Sequence, residues 1–283
     1  MVKKRRKRNN GALIAWVSVG VVVAIVLTFV LVKELGSSGP QRTSFGALTP
    51  TVYDEVTQVP ATVFNTIGVS SALVVPHSVF AISKGLPSFT QKVNGVTLPA
   101  AFYYGAEFCP YCAATRWGII IALSRFGTFT HNTLYKMWSS ATDSAGPNTP
   151  TMTFYHVSYT SPYFAFKGYE VEDRNGNPLM KLPADVNTLV NRYNQNLSFP
   201  FMDIDNKTFL VNSAFDPLTL GGYTTQAAIA SALTDTSSPV TQAIISTANY
   251  VSAGICESAK NPPTSVCDSP GVQAAATALG LKF

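Results

Sequence analysis

Charged residues are scarce in this sequence. Asp, Glu, Lys and Arg make up 12% of its 283 residues, about half the usual share, which excludes a charged disordered tail protein and a coiled coil. Histidine is scarcer: His77, His131 and His156 stand singly, none at ligand spacing from another. The cysteines therefore find no partners for a tetrahedral zinc site, and neither a metal nor another cofactor is expected. Met-rich and His-rich stretches, which would mark a carrier of soft metal ions, are missing too. Cysteine occurs four times. A chain of this length buries a self-sufficient core, so a disulfide mini-protein is excluded. No internal repeat is visible.

What charge there is lies unevenly. With 20 Lys+Arg against 15 Asp+Glu, the formal charge is +5, a balance that taken whole suggests a nucleic-acid binder. Six of the basic groups sit within residues 1–8, and residues 12–32 carry no charge. A helix over that stretch, at ~1.5 Å per residue, spans about 30 Å, one bilayer core. Up to Gly36 there are seven basic residues and one acidic, a net of +6, and the remaining 13 basic and 14 acidic residues leave −1. Nucleic acid is thus not an expected partner. A basic cluster before a single apolar span predicts a basic cytoplasmic tail (1–11), one transmembrane helix (12–32) in contact with the lipid bilayer, a flexible linker (33–58) and an external folded domain (59–283). The chain would be a single-pass protein of the cell membrane. A cleaved signal peptide competes with this reading, but its apolar stretch ordinarily runs about 7–15 residues and ends in an A-x-A-like site.

Within the body, short apolar runs alternate with helical ones, which predicts a mixed α/β sandwich. The chemistry concentrates at Cys109-Pro-Tyr-Cys112. Residues 100–104 are an apolar and aromatic run suited to a buried strand, 105–108 turn the chain, and 110–126 read as a helix with Cys112, Ile119, Leu123 and Phe126 on one face. Pro110 suits the first helical position, Gly127 is expected as the C-terminal cap, and Arg125 complements the dipole. At the helix N-terminus, unpaired N–H groups favour a thiolate, so Cys109 is the expected attacking sulfur. Cys112, one turn later and facing inward, is placed to resolve a mixed disulfide. A static structural bridge is the blander alternative.

Four further residues are secondary candidates for substrate contact or electrostatics: Pro110 and Tyr111 between the cysteines, and Glu107 and Arg116, which could pair with each other. Cys256 and Cys267 enclose a proline-containing loop. Four cysteines allow three connectivities; a structural Cys256–Cys267 bridge is preferred because it leaves the other two free to cycle.

Strand, Cys109-Pro-Tyr-Cys112 and helix together resemble the active-site opening of the thioredoxin superfamily, and Pro-Tyr is the dipeptide found in glutaredoxins. Ser198-Phe-Pro-Phe-Met-Asp-Ile-Asp-Asn-Lys-Thr-Phe-Leu-Val211 is similar to the cis-proline and terminal hairpin of that fold, which implies that Pro200 is the cis-proline beside Cys109. More narrowly, residues 105–117, with 122–128, 148–151, 161–163 and the late cysteine pair, resemble the family catalogued as domain of unknown function 929, whose members are membrane-anchored or secreted proteins of archaea and actinobacteria. The resemblance implies a thioredoxin-like α/β sandwich, a central mixed sheet flanked by helices, with an insertion at about 160–184 and a C-terminal helical extension. Its first half would be strand 100–104, helix 110–126 and strand 151–159. The second would be hairpin 201–211 and a helix near 224–233.

The function expected from these readings is extracytoplasmic thiol–disulfide exchange with protein thiols and disulfides, with a membrane electron-transfer partner compatible as a second contact. The alternative is a redox-inert interaction module of the cell envelope built on the same fold.

Overall fold

The computed structural model describes residues 45–283 except 71–72 and 74–78. The expected tail and membrane span lie outside the described residues; among those described, no helix is long and apolar enough to cross a membrane.

Two short helices come first, α1 (Pro50–Thr57) and α2 (Ala61–Ile67). Thr49 caps α1 through the Val52 amide, Pro50 occupies the first turn, and Val52 and Val56 are buried. This corrects the expected linker boundary at residue 58. Leu48, Val52 and Val56 place apolar side chains in the core, and Ala47 bridges to Tyr135, so the packed chain begins before the α1 cap.

The remaining elements follow as β1 (Phe80–Ile82), β2 (Thr90–Val93), β3 (Val96–Gly105), α3 (Pro110–Ser124), β4 (Thr128–Phe129), β5 (Tyr135–Trp138), β6 (Pro150–Thr153), β7 (Tyr159–Thr160), β8 (Ala165–Glu170), α4 (Ala184–Tyr193), β9 (Phe201–Ile204), β10 (Thr208–Val211), α5 (Gln226–Ala232), α6 (Pro239–Ser258), α7 (Thr264–Cys267) and α8 (Pro270–Leu279). The central sheet runs β8-β3-β9-β10-β1, with β2 joined to β3 as a hairpin. β8 is parallel to β3, with Ala100 opposite Ala165 and Gly105 opposite Glu170. β9 is antiparallel to β3, and β10 and β1 continue antiparallel.

Alternation along β3 builds two cores, since successive side chains leave a strand on opposite faces. Ala100, Phe102 and Tyr104 pack with Phe201, Phe209, Val186 and Val190 on the α4 side. Ala101 and Tyr103 face the larger core with Trp117, Ile120, Ile244 and Val251, contributed by α3 and α6. Burying one such aromatic side chain contributes about 1.5–3 kcal/mol, so the central strand is held from both faces. The architecture is a mixed α/β sandwich, with a central mixed sheet flanked by helices.

Three local expectations are corrected. Residues 151–159 are not one strand: β6 ends at Thr153, pairs with β5 in a separate two-stranded sheet, and is followed by His156 at φ 58°. The second sheet strand is instead β8, which lies inside the segment expected as an insertion. The chain between α3 and β8 is what separates the two parallel strands. Finally, α3 ends at Ser124 with Arg125 as its cap. Gly127 is not among the residues with positive φ; it is required because the Tyr159 ring and the Thr160 carbonyl press against its Cα. Arg125 is turned away from a simple dipole contact: its guanidinium lies 4.0 Å above the Phe64 ring and bonds Asn249, Ser252 and Ser269.

Candidate functional site

The site forms where β3 leaves the sheet and α3 begins. Cys109 is the N-cap of α3, in extended conformation at φ −73°, ψ 121°, and Pro110 fills the first turn where no amide hydrogen is needed. The Cys109 sulfur accepts the Cys112 N–H at 3.2 Å, and the Ala113 N–H bonds the Cys109 carbonyl at 3.0 Å. Both cysteines are free thiols. Cys109 is 5% exposed and Cys112 fully buried, while Tyr111 between them projects into solvent.

The two thiols are electrostatically unlike. The Cys109 pKa is held below the ordinary thiol value, first by a hydrogen bond from the Cys112 side chain, then by the Cys112 N–H, the Arg116 charge and the Tyr111 N–H, with burial opposing them. Burial pushes Cys112 well up, and its position as donor to Cys109 adds to this; the Arg116 charge offsets part of the rise. The division into one ionisable and one protonated sulfur is that expected of an attacking and a resolving cysteine.

Arg116 is completely buried. It does not pair with Glu107. Its Nε and Nη2 donate to the two carboxylate oxygens of Glu170, at the end of β8, at 2.8 and 2.7 Å, and Nη2 also donates to the Ala106 carbonyl at 2.7 Å. Glu170 further accepts the Phe154 N–H at 3.2 Å, and its pKa is raised, by burial first, with Arg116 acting to lower it. Glu107 is also buried and accepts from the Thr153 hydroxyl at 2.6 Å. Tyr103, on β3, lies beneath the cysteines with its ring 5.8 Å from the Arg116 guanidinium. Glu170, Tyr103 and Thr153 escape a sequence reading because they come from other strands or from the apolar run itself. Tyr103 lies six residues before Cys109, where strand alternation would have turned it inward.

The Phe199–Pro200 peptide is cis and leads into β9 beside β3. The Phe199 ring lies 4.9 Å from Tyr104 and 6.1 Å from Phe108, the residue before Cys109. Two pockets open here. One, of about 560 Å³, is lined by Tyr111, Phe199 and Phe215 with Asn212, Ser213 and Asp216 among its polar groups. The other, of about 530 Å³, adjoins Phe108 and is bordered by Asp143, Glu172 and Arg174. Cys256 and Cys267 are bonded to each other and tie α6 to α7. Among the described residues, no group of three or more His, Cys, Asp or Glu side chains is arranged to hold a metal ion.

The family model described as "Domain of unknown function (DUF929)" matches residues 92–257, more than half of the chain, and spans the whole of this site. No curated protein and no solved structure matches the chain.

Proposed function

Because this chain belongs to the DUF929 family, its activity has to be read from its own chemistry, and we propose that it is a membrane-anchored thiol–disulfide oxidoreductase of thioredoxin-like fold. It exchanges disulfides with protein substrates outside the membrane through Cys109 and Cys112. The observation that carries the reading is the pair of unequal sulfurs at one helix start: Cys109 at the N-cap, accepting an N–H and held toward the thiolate, and Cys112 buried one turn in. The thioredoxin-like assignment is supported by the order β8-β3-β9-β10, with the two-cysteine helix directly after the first of its parallel strands. The anchor and orientation rest on the uncharged stretch 12–32 behind a basic tail.

In the reducing direction, the Cys109 thiolate attacks one sulfur of a substrate disulfide. A Cys109–substrate disulfide forms and the other substrate sulfur leaves as a thiolate that takes up a proton. Cys112 then attacks the Cys109 sulfur; the Cys109–Cys112 disulfide closes and the second substrate thiol departs. Two electrons pass from the cysteine pair to the substrate, and a thiol-bearing membrane partner returns them. The same steps run backwards oxidise a substrate dithiol.

Trapping tests the proposal. Full-length Cys112→Ser should accumulate mixed disulfides on Cys109 in cells, and Cys109→Ser should accumulate none and lose peptide-disulfide turnover. A parent protein inert toward disulfide peptides, with no adduct on Cys112→Ser, would overturn the enzyme reading in favour of a redox-inert docking module.

A further inference from the structure

Resting on the oxidoreductase reading, a further role follows from the groups buried beneath Cys112. Resolution of the mixed disulfide needs Cys112 as a thiolate in a fully buried position, where an unsatisfied anion is costly. Two donors there have spare capacity. The Arg116 Nη1 group is buried and bonds nothing, although Nε and Nη2 are committed to Glu170 and Ala106. The Tyr103 hydroxyl, also buried, has no oxygen or nitrogen partner, and the Cys112 sulfur is the side chain that it faces. Buried donors without acceptors are uncommon and destabilising. The hydroxyl is also given room deliberately: a Cβ on Gly105 would fall on it, so the glycine at the end of β3 keeps the phenol in place.

We propose that Tyr103, with Arg116 behind it, forms a donor pocket for the Cys112 thiolate. The phenol already faces the sulfur while Cys112 is a thiol, and it donates fully, with the spare Arg116 Nη1 beside it, as Cys112 becomes the attacking sulfur. The bond formed is Cys112–Cys109 and the bond broken is Cys109–substrate; the Cys112 proton ends on the departing substrate thiol. Burial holds Tyr103 well above the ordinary phenol value, so it remains a donor. The charged and titratable groups around Cys112 are Cys109 and Arg116 on α3, Tyr103 and Tyr104 on β3, and Glu170 on β8, with Glu107 acting on Glu170. Removing the phenol hydroxyl leaves all the others in place.

The test is stopped-flow reaction of reduced full-length protein with an aromatic disulfide that releases a coloured thiolate. Attack by Cys109 gives a first phase, and resolution by Cys112 releases a second equivalent. In Tyr103→Phe the first phase should keep the parent rate. The pH midpoint of the second should rise by about one unit. At pH 7 the thiolate fraction then falls about tenfold while its nucleophilicity rises about threefold, a net slowing of about threefold. Above both midpoints the variant should be the faster, so the two pH profiles cross, which a loosened core would not produce. Gly105→Ala, which displaces the hydroxyl, should give the same shift if Tyr103→Phe does not fold. An unmoved midpoint, or equal slowing of both phases, overturns the assignment. A parent with no first phase overturns the oxidoreductase reading itself.

Discussion

Replacing Arg116 with Met should destabilise the protein by an amount that grows as pH rises, whereas replacing Glu170 with Met should destabilise it by an amount that does not grow. Both side chains are fully buried and joined by two hydrogen bonds. Without Arg116, the Glu170 carboxylate escapes burial as an ion only by taking up a proton. Measured from an ordinary glutamate near 4.3, protonation costs ~3.7 kcal/mol at pH 7 and ~1 kcal/mol at pH 5. Loss of the donor to the Ala106 carbonyl adds about 1 kcal/mol at either pH. The expected cost of Arg116→Met is therefore at most about 5 kcal/mol at pH 7 and about 2 at pH 5, because the parent's Glu170, itself raised by burial, already bears part of the difference; the former lies at the upper end for breaking a buried pair. The sign is that of a carboxyl whose folded pKa lies above its unfolded one: the stability is present at low pH and lost as pH rises. A guanidinium has no such escape, because it does not deprotonate in proteins. Glu170→Met should thus cost several kcal/mol, and no more at pH 7 than at pH 5, since removing a carboxyl whose folded pKa is raised by burial also removes the parent's own loss of stability with rising pH. Arg116→Met/Glu170→Met should cost less at pH 7 than either single change. Urea unfolding of the purified full-length protein at the two pH values measures this, and titrations shared with the parent cancel in the differences. A cost for Arg116→Met that is the same at both pH values, or a double variant whose cost is the sum of the singles, would refute the reasoning.

Two further outcomes are expected away from the cysteines. Asp203 on β9 is completely buried, with one oxygen accepting the Asn206 N–H at 2.7 Å and the other unpartnered; burial, with a smaller contribution from Asp205, raises its pKa to about 7. Its contribution to stability is full below the unfolded value near 3.9 and fades as pH rises through 7, by about 2.5 kcal/mol between pH 5 and 8. Asp203→Asn should flatten the unfolding free energy across that range relative to the parent, and parallel curves would contradict this. The Cys256–Cys267 bridge joins positions 11 apart in sequence, a closure that stabilises by about 3 kcal/mol through the unfolded chain. The double Ser variant should lose that much in chemical denaturation while keeping the reaction of Cys109 with an aromatic disulfide; loss of that reaction with the fold intact would mean the two cysteine pairs are coupled.

The parts of this protein that its sequence discloses are those whose causes are local. Cys109, Pro110 and Cys112 mark a helix start because capping and the missing proline N–H act within one turn, and hairpin 201–211 is marked by its own turn residues. The second parallel strand failed to declare itself for an equally physical reason. Ala165-Phe-Lys-Gly-Tyr-Glu170 ends in a charge and carries a glycine and a lysine at its centre. Gly168 is there because the Phe154 ring packs against its Cα, and Glu170 because an arginine 54 residues earlier needs a carboxylate. Read alone, these residues look like an irregular surface segment. Read with Arg116, they are the strand that a buried guanidinium requires, since neither charge is stable there without the other. For the same reason Glu107, the acid nearest in sequence, was an inviting but mistaken partner. Helical spacing ranks neighbours by sequence, whereas the sheet register sets Glu170 opposite Gly105, at the very end of β3 from which the chain turns toward Cys109. The electrostatics of the cysteine pair are thus fixed by strand pairing, and any chain sharing the Cys-Pro-Tyr-Cys turn without a carboxylate at that register would hold its thiols in a different field.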